Sequence, residues 1–234
     1  MTTQKQKLTL AYSSCPNDTY IFDAIANHRI DTREFDIAIT LADVETLNMA
    51  PARASYDVTK LSFAAFGNLR DTYGLLRTGA ALGRGCGPLL ITRPGHGTGI
   101  KRPVIAVPGL GTTACLLLRF YLDDRYPGMD PILRPMPFDT IMPSVQAGES
   151  DMGVIIHEGR FVYEKLGFTC VRDLGQWWEE TTSLPIPLGC IAIRRSLGPV
   201  TAARIEDLIH RSILYADAYP DAGMEYIRKH AKEL

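Results

Sequence analysis

The sequence predicts an α/β fold in two lobes, and three observations predict it. Strand-like and helix-like patterns alternate along the chain, as they do where helices flank parallel sheets. Two stretches, 84–93 (RGCGPLLITR) and 184–195 (LPIPLGCIAIRR), each join a Gly/Pro cluster to an apolar strand and bracket the middle of the chain. A length of 234 residues is ample for two small lobes, each with its own core. The chain is therefore expected to leave a first lobe near residue 90 and return near residue 190. Lobe I then comprises 1–90 plus 192–234 and lobe II comprises 91–191, with a crevice between them as the place for a small ligand.

The elements follow in order. Residues 8–12 alternate apolar and polar side chains and read as a strand. Asn17, Asp18 and Thr19 offer caps for a helix over 20–26, in which Ile21, Ala24 and Ile25 share a face. Residues 35–40 form a second strand, and Asp43-Val44-Glu45 opens a second helix that Pro51 should end. Residues 56–60 form a third strand, with Ser62 as the cap of a helix over 63–69. This opening implies a parallel sheet.

The middle repeats the theme: strands at 103–107 and 132–136, helices at 112–122 and 141–147, then a strand at 154–156 and a helix from about Glu158. Asp173 caps a helix carrying Trp177 and Trp178. In the tail, Ile205, Leu208, Ile209 and Ile213 fall on one helical face.

Composition excludes several function classes. A formal net charge of −1 gives no electrostatic footprint for nucleic acid or an anionic membrane. No apolar run approaches the length of a bilayer-spanning helix. No signal-peptide apolar region follows MTTQKQK, so a cytoplasmic protein is expected. The five cysteines are odd in number and form no C-x-x-C pair, which argues for reduced thiols over a disulfide framework or a zinc site. Cys115 and Cys190 lie in apolar stretches and should pack as small hydrophobes.

The segment DMGVIIHEGR (151–160) is the most informative. Val154-Ile155-Ile156 reads as a buried parallel strand that runs directly into His157. Strand ends of open α/β sheets face the ligand crevice, and histidine exchanges a proton near neutral pH. No H-x-x-H or H-E-x-x-H spacing supports a metal. His157 therefore reads either as a proton-transfer residue or as an exposed or structural histidine. His28, His96, His210 and His230 read as surface residues.

Other motifs carry two readings each. Gly109–Ala114 matches G-x-G-x-x-A between a strand and a helix, yet no acid follows at the distance a dinucleotide site requires. It serves either as an anion site, with Thr112, Thr113 and a helix N-terminus as donors, or as a plain turn capped by Thr112. Lys60 and Ser62 end the third strand. Lys60 either pairs with an anionic substrate or reaches solvent, and Ser62 either donates to a ligand or only caps. Residues 83–88 lack the G-K-[ST] ending of a P-loop, and their glycines suit a hinge or a close backbone approach. Residues 13–18 read as a turn, in which Cys15 lacks a neighbouring base.

Taken together, these segments resemble the 1,4-dihydroxy-6-naphthoate synthases of the futalosine pathway to menaquinone. The matching stretches are CPNDTYIFDA (15–24), DVETLN (43–48), DVTKLS (57–62), ALGRGCGPLL (81–90), the Thr112-Thr113 turn, IIHEGR (155–160), DLGQWWEE (173–180) and LPIPLG (184–189). They cover most of the chain in the family's order. The resemblance implies a two-lobed α/β fold of the type II periplasmic-binding-protein-like class, with a hinge and an interlobe cleft. It implies a carbon–carbon lyase that converts cyclic dehypoxanthine futalosine to 1,4-dihydroxy-6-naphthoate. It places His157 as the proton acceptor and Lys60, Leu61, Ser62, Thr112 and Thr113 as substrate-binding residues. No cofactor is implied. The implied partner is a small molecule with a carboxylate, with no nucleic acid and no membrane, and oligomeric state is left open.

Three departures from the family accompany the match. Ser14 stands where proline is usual and Gly159 where serine is usual. Family sequences continue past the position of Leu234, so a C-terminally truncated fragment is expected. Two other functions compete: a non-catalytic small-carboxylate-binding protein of the same fold, and a nucleotide-dependent oxidoreductase that rests on 109–114 alone.

Overall fold

The computed structural model describes residues 5–50, 55–96, 99–157 and 159–230. Pro51 and Glu158, singled out above, lie outside the described residues. Contacts divide the chain into two units, Met1–Ala81 with Gly189–Leu234 and Leu82–Leu188.

The first unit is built on a sheet whose strand order is β2-β1-β3-β11-β4, with β5 (Ala81–Gly83) also pairing β11. β1 (Gln6–Tyr12) runs parallel to both β2 (Phe35–Leu41) and β3 (Val58–Ser62), as the opening pattern predicts. β11 (Ile186–Arg194) runs antiparallel to β3 and to β4 (Tyr73–Leu75), so the sheet as a whole is mixed. Leu8, Leu10 and Tyr12 alternate onto one face and pack with Phe22 and Ile25 of α1 (Pro16–Ala26) and with Ile205, Leu208 and Ile209 of α8 (Gly198–Ala218). Leu61, Tyr73, Cys190 and Ala192 form a smaller core, against which Phe63 and Phe66 of α3 (Phe63–Leu69) pack.

Two helix starts differ from expectation. α1 begins at Pro16, not beyond Thr19, because proline pre-sets φ for the first helical position and loses no needed N–H there. Asp18 thus lies in the first turn and is buried. Ser62 stands at the N-cap position of α3, but its hydroxyl makes no cap bond. Asp43 caps α2 (Val44–Met49) as predicted, accepting from Thr46 N.

The second unit holds a sheet of order β10-β6-β9-β7-β8. β7 (Val104–Val107) is parallel to β8 (Ile132–Pro135) and β9 (Met152–Ile155). β6 (Leu89–Thr92) is antiparallel to β9 and to β10 (Thr169–Asp173). The strand before His157 is buried throughout, as expected, but one of its two neighbours runs antiparallel. Both faces are covered. Leu90, Ile105, Val107, Met152 and Val154 meet α4 (Thr113–Arg125) and α7 (Leu174–Thr182). The alternate residues Leu89, Ile91, Ala106 and Ile155 meet Ile141 and Val145 of α5 (Phe138–Ala147). The central strands β6, β7 and β9 are covered on both faces, which is why they read as apolar runs, while the edge strands β8 and β10 carry polar and exposed residues. Two short helices complete the chain, α6 (Gly159–Val162) and α9 (Met224–His230).

Candidate active site

Strand direction decides which side chains meet. In the first unit Leu10 lies opposite Val58 and Ala11 opposite Thr59, so parallel β1 and β3 leave the sheet at one edge. There Lys60 Nζ lies 2.6 Å from Asp18 Oδ1, with the two side chains 10% and 4% exposed. Asp18 Oδ2 accepts from the hydroxyl and the amide of Ser13 at 2.6 and 3.2 Å. Lys60 does not reach solvent, one of the two destinations weighed from sequence; its charge is met inside the protein by Asp18.

Beside this pair, Ser62 N donates to Asn48 Oδ1 at 2.9 Å, and Asn48 Nδ2 donates to Ser62 Oγ at 3.1 Å. Leu61 points into the core and is 1% exposed, so any contact it makes with a ligand comes from its main chain. Cys190, opposite Leu61 on β11, has its thiol pushed up to about 12 by burial, against a smaller downward pull from Lys60.

In the second unit Ile105 lies opposite Met152 and Ala106 opposite Gly153, so β7 and β9 also leave their sheet at a common edge. β7 leads through the turn at Gly109 (φ 147°) into α4. Thr112 caps that helix: its hydroxyl accepts from Cys115 N at 3.2 Å and donates to Gly109 O at 2.8 Å. Thr113 Oγ1 donates to Leu188 O at 3.1 Å. β9 leads to His157, two residues past the last strand residue. His157 is exposed, has a left-handed backbone (φ 54°), and sets its ring edge-on to Phe138 with centroids 5.4 Å apart. Thr112, Thr113 and His157 therefore belong to one edge of one sheet.

Sequence reasoning missed the residues that hold these positions. Arg160 donates from Nη1 to Gly87 O at 3.0 Å and from Nη2 to Asp173 Oδ2 at 2.5 Å. The Asp173 hydrogen bond raises the guanidinium pKa further, against the opposing effect of burial. Asp173 also caps α7 through Gln176 N. Asp57 accepts from the amide and hydroxyl of Thr9 and pairs with Arg194. The polar members of the matching stretches thus meet one another: Asp18 meets Lys60, Asn48 meets Ser62, and Arg160 meets Gly87 and Asp173. An acid, amide or arginine inside a polar-rich stretch was the available signal, but nothing in a linear sequence names its partner.

Among the described residues no group of three or more His, Cys, Asp or Glu side chains could hold a metal ion, and no helix is long and apolar enough to cross a membrane. None of the five cysteines is in a disulfide.

Comparison with known proteins places this geometry in context. Over 98% of its length the chain is 43% identical to a 1,4-dihydroxy-6-naphtoate synthase of Thermus thermophilus, covering 81% of that protein. A protein of the same name from Streptomyces coelicolor is 42% identical over 97% of the chain and 80% of its own length. A crystal structure of an Archaeoglobus fulgidus protein superposes with a TM-score of 0.88 at 36% identity, covering 97% of this chain and 83% of that one. The periplasmic aliphatic sulphonate binding protein of Escherichia coli matches in fold alone, with a TM-score of 0.66 at 11% identity over 97% and 79% of the two chains. The fold is therefore α/β and periplasmic-binding-protein-like. A family model described as menaquinone biosynthesis matches residues 8–234, and the chain belongs to that family.

Proposed function

We propose that the protein is a carbon–carbon lyase of menaquinone biosynthesis that converts cyclic dehypoxanthine futalosine to 1,4-dihydroxy-6-naphthoate, with His157 as general base. The observation that carries the reading is the common edge of β7 and β9, which presents His157 and the start of α4. The substrate has an aromatic carboxylate and a strained spiro ring. The N-terminal turn of α4 favours an anion through its dipole and its amide groups. Thr112 and Thr113 shape that turn, since both hydroxyls already bond within the protein. Lys60, Leu61 and Ser62 are the further residues that this reading assigns to substrate binding. Ser62 Oγ accepts from Asn48, which leaves its own proton to donate to a substrate oxygen.

Neutral imidazole at His157 takes a proton from the substrate and triggers ring opening, and aromatisation of the product drives the step. The chemistry requires no cofactor, and a cytoplasmic location suits it. The test is incubation of the purified protein with cyclic dehypoxanthine futalosine and identification of the products. Appearance of the naphthoate is expected. Binding without turnover would instead identify a non-catalytic carboxylate-binding protein.

A further inference from the structure

We propose that Arg160 is a positioning residue for His157, holding the turn that carries the imidazole; the proposal rests on the reading of His157 as the base. α6 is a single turn of four residues with none buried, far below the length at which a helix is stable alone. His157 has φ 54°, a conformation that costs an L-residue roughly 1–2 kcal/mol and persists only where surrounding contacts impose it. The Arg160 amide donates to His157 O at 3.3 Å, which closes the turn. Its guanidinium then ties that turn to two other segments, through Gly87 O and Asp173 Oδ2.

Both anchor points are tied to the start of α7. Asp173 is fixed as the N-cap of α7. The carbonyl of Cys86, just before Gly87, lies 2.1 Å from where a side chain on Gly175 would begin, so the 86–87 backbone is pressed against the first turn of α7. Arg160 reaches both acceptors because its planar fork donates in two directions at once; a lysine ammonium is a point charge and serves them less well. A clamp of this kind sets where the imidazole stands without touching substrate. Misplacement of a catalytic group by about 1 Å costs on the order of 10²-fold in rate.

The experiment compares R160A, R160K and H157N in the conversion assay and in ¹⁵N-histidine spectra, where H157N assigns the His157 signals. R160A is expected to lower kcat by about 10²-fold with KM little changed. The His157 resonances should shift or broaden while those of His28, His96, His210 and His230 stay in place. R160K should recover part of both effects. Wild-type kcat in R160A would overturn the proposal. So would a fall in kcat with His157 resonances unmoved, or a shift of all five histidines together. If R160A does not fold, R160K and D173N carry the same two readouts. Full turnover by H157N would remove the base and the positioning role together. An inactive H157N beside a fully active R160A would leave the base standing and sink this proposal alone.

Discussion

Lys60 and Asp18 form a buried ion pair, Nζ to Oδ1 at 2.6 Å, joining the middle of β3 to the first turn of α1. Two charges out of water are tolerated because each satisfies the other and Ser13 satisfies the second carboxylate oxygen. Removing one partner strands the other. D18N or K60M alone is expected to cost about 3–5 kcal/mol of stability, and the double variant to recover much of that loss. Urea denaturation of the four proteins checks it. A double variant as unstable as the sum of the singles would show that the two residues are not coupled.

Alkaline pH should destabilise the protein through Cys190. Burial holds its folded pKa at about 12, above the ordinary 9.0. Because the charged form is the one disfavoured on folding, this contribution is complete below pH 9 and is lost as pH rises toward 12. The expected slope is about 1.4 kcal/mol per pH unit in that window. Tyr12 is raised too, chiefly by burial and then by its hydrogen bond with Tyr226, and acts with the same sign. C190A should therefore flatten the decline in part. Unfolding midpoints from pH 8 to 11 test it, and identical slopes for wild type and C190A would refute the assignment.

What the sequence made legible follows from periodicity. Residues 8–12 and 35–40 alternate by two and became β1 and β2, and Ile205, Leu208 and Ile209 became the buried stripe of α8. The mixed direction of both sheets was not legible. β11 and β6 are apolar runs like any buried strand, and direction depends on where the chain re-enters, which no local pattern records. Helix starts depended on competing signals: Pro16 outweighed Asn17 and Thr19 because it fixes the backbone itself. At the candidate site, His157 stood out because a titratable ring follows an unbroken apolar run. Asp18, Asn48 and Arg160 did not, because each matters through a partner tens of residues away. Thr112 proved to be the cap of α4, one of the two readings that its turn allowed.

His157 should prove dispensable for folding and necessary for turnover. Its ring is exposed and touches Phe138 edge-on, so trimming it disturbs little packing. General-base help of this kind is worth about 10²–10⁴-fold in rate. H157N is therefore expected to lose about that factor in kcat while its unfolding midpoint and its affinity for the cyclic substrate stay near wild type. Undiminished turnover by H157N would remove the residue from the mechanism.

Two helical glycines should respond to alanine with opposite sign. Gly67 lies within α3 with no atom within 4 Å of where a Cβ would stand. G67A only removes backbone freedom from the unfolded chain, and a gain of roughly 0.5–1 kcal/mol is expected. Gly175 lies in the first turn of α7, where a Cβ would be 2.1 Å from Cys86 O and 2.7 Å from Ile186 Cδ1. A main-chain oxygen cannot rotate away as a side chain can. The 86–87 segment must lift, and Gly87, with φ 135° and its carbonyl bonded to Arg160, is poorly placed to follow. G175A is expected to cost about 1–3 kcal/mol or more. It should also lower kcat, because lifting the 86–87 backbone disturbs the adjoining Gly87 carbonyl, one of the two anchors of the His157 turn. Urea unfolding with the conversion assay separates the cases. A G175A protein as stable and as active as G67A would mean that the close approach of the two segments does not exist in solution.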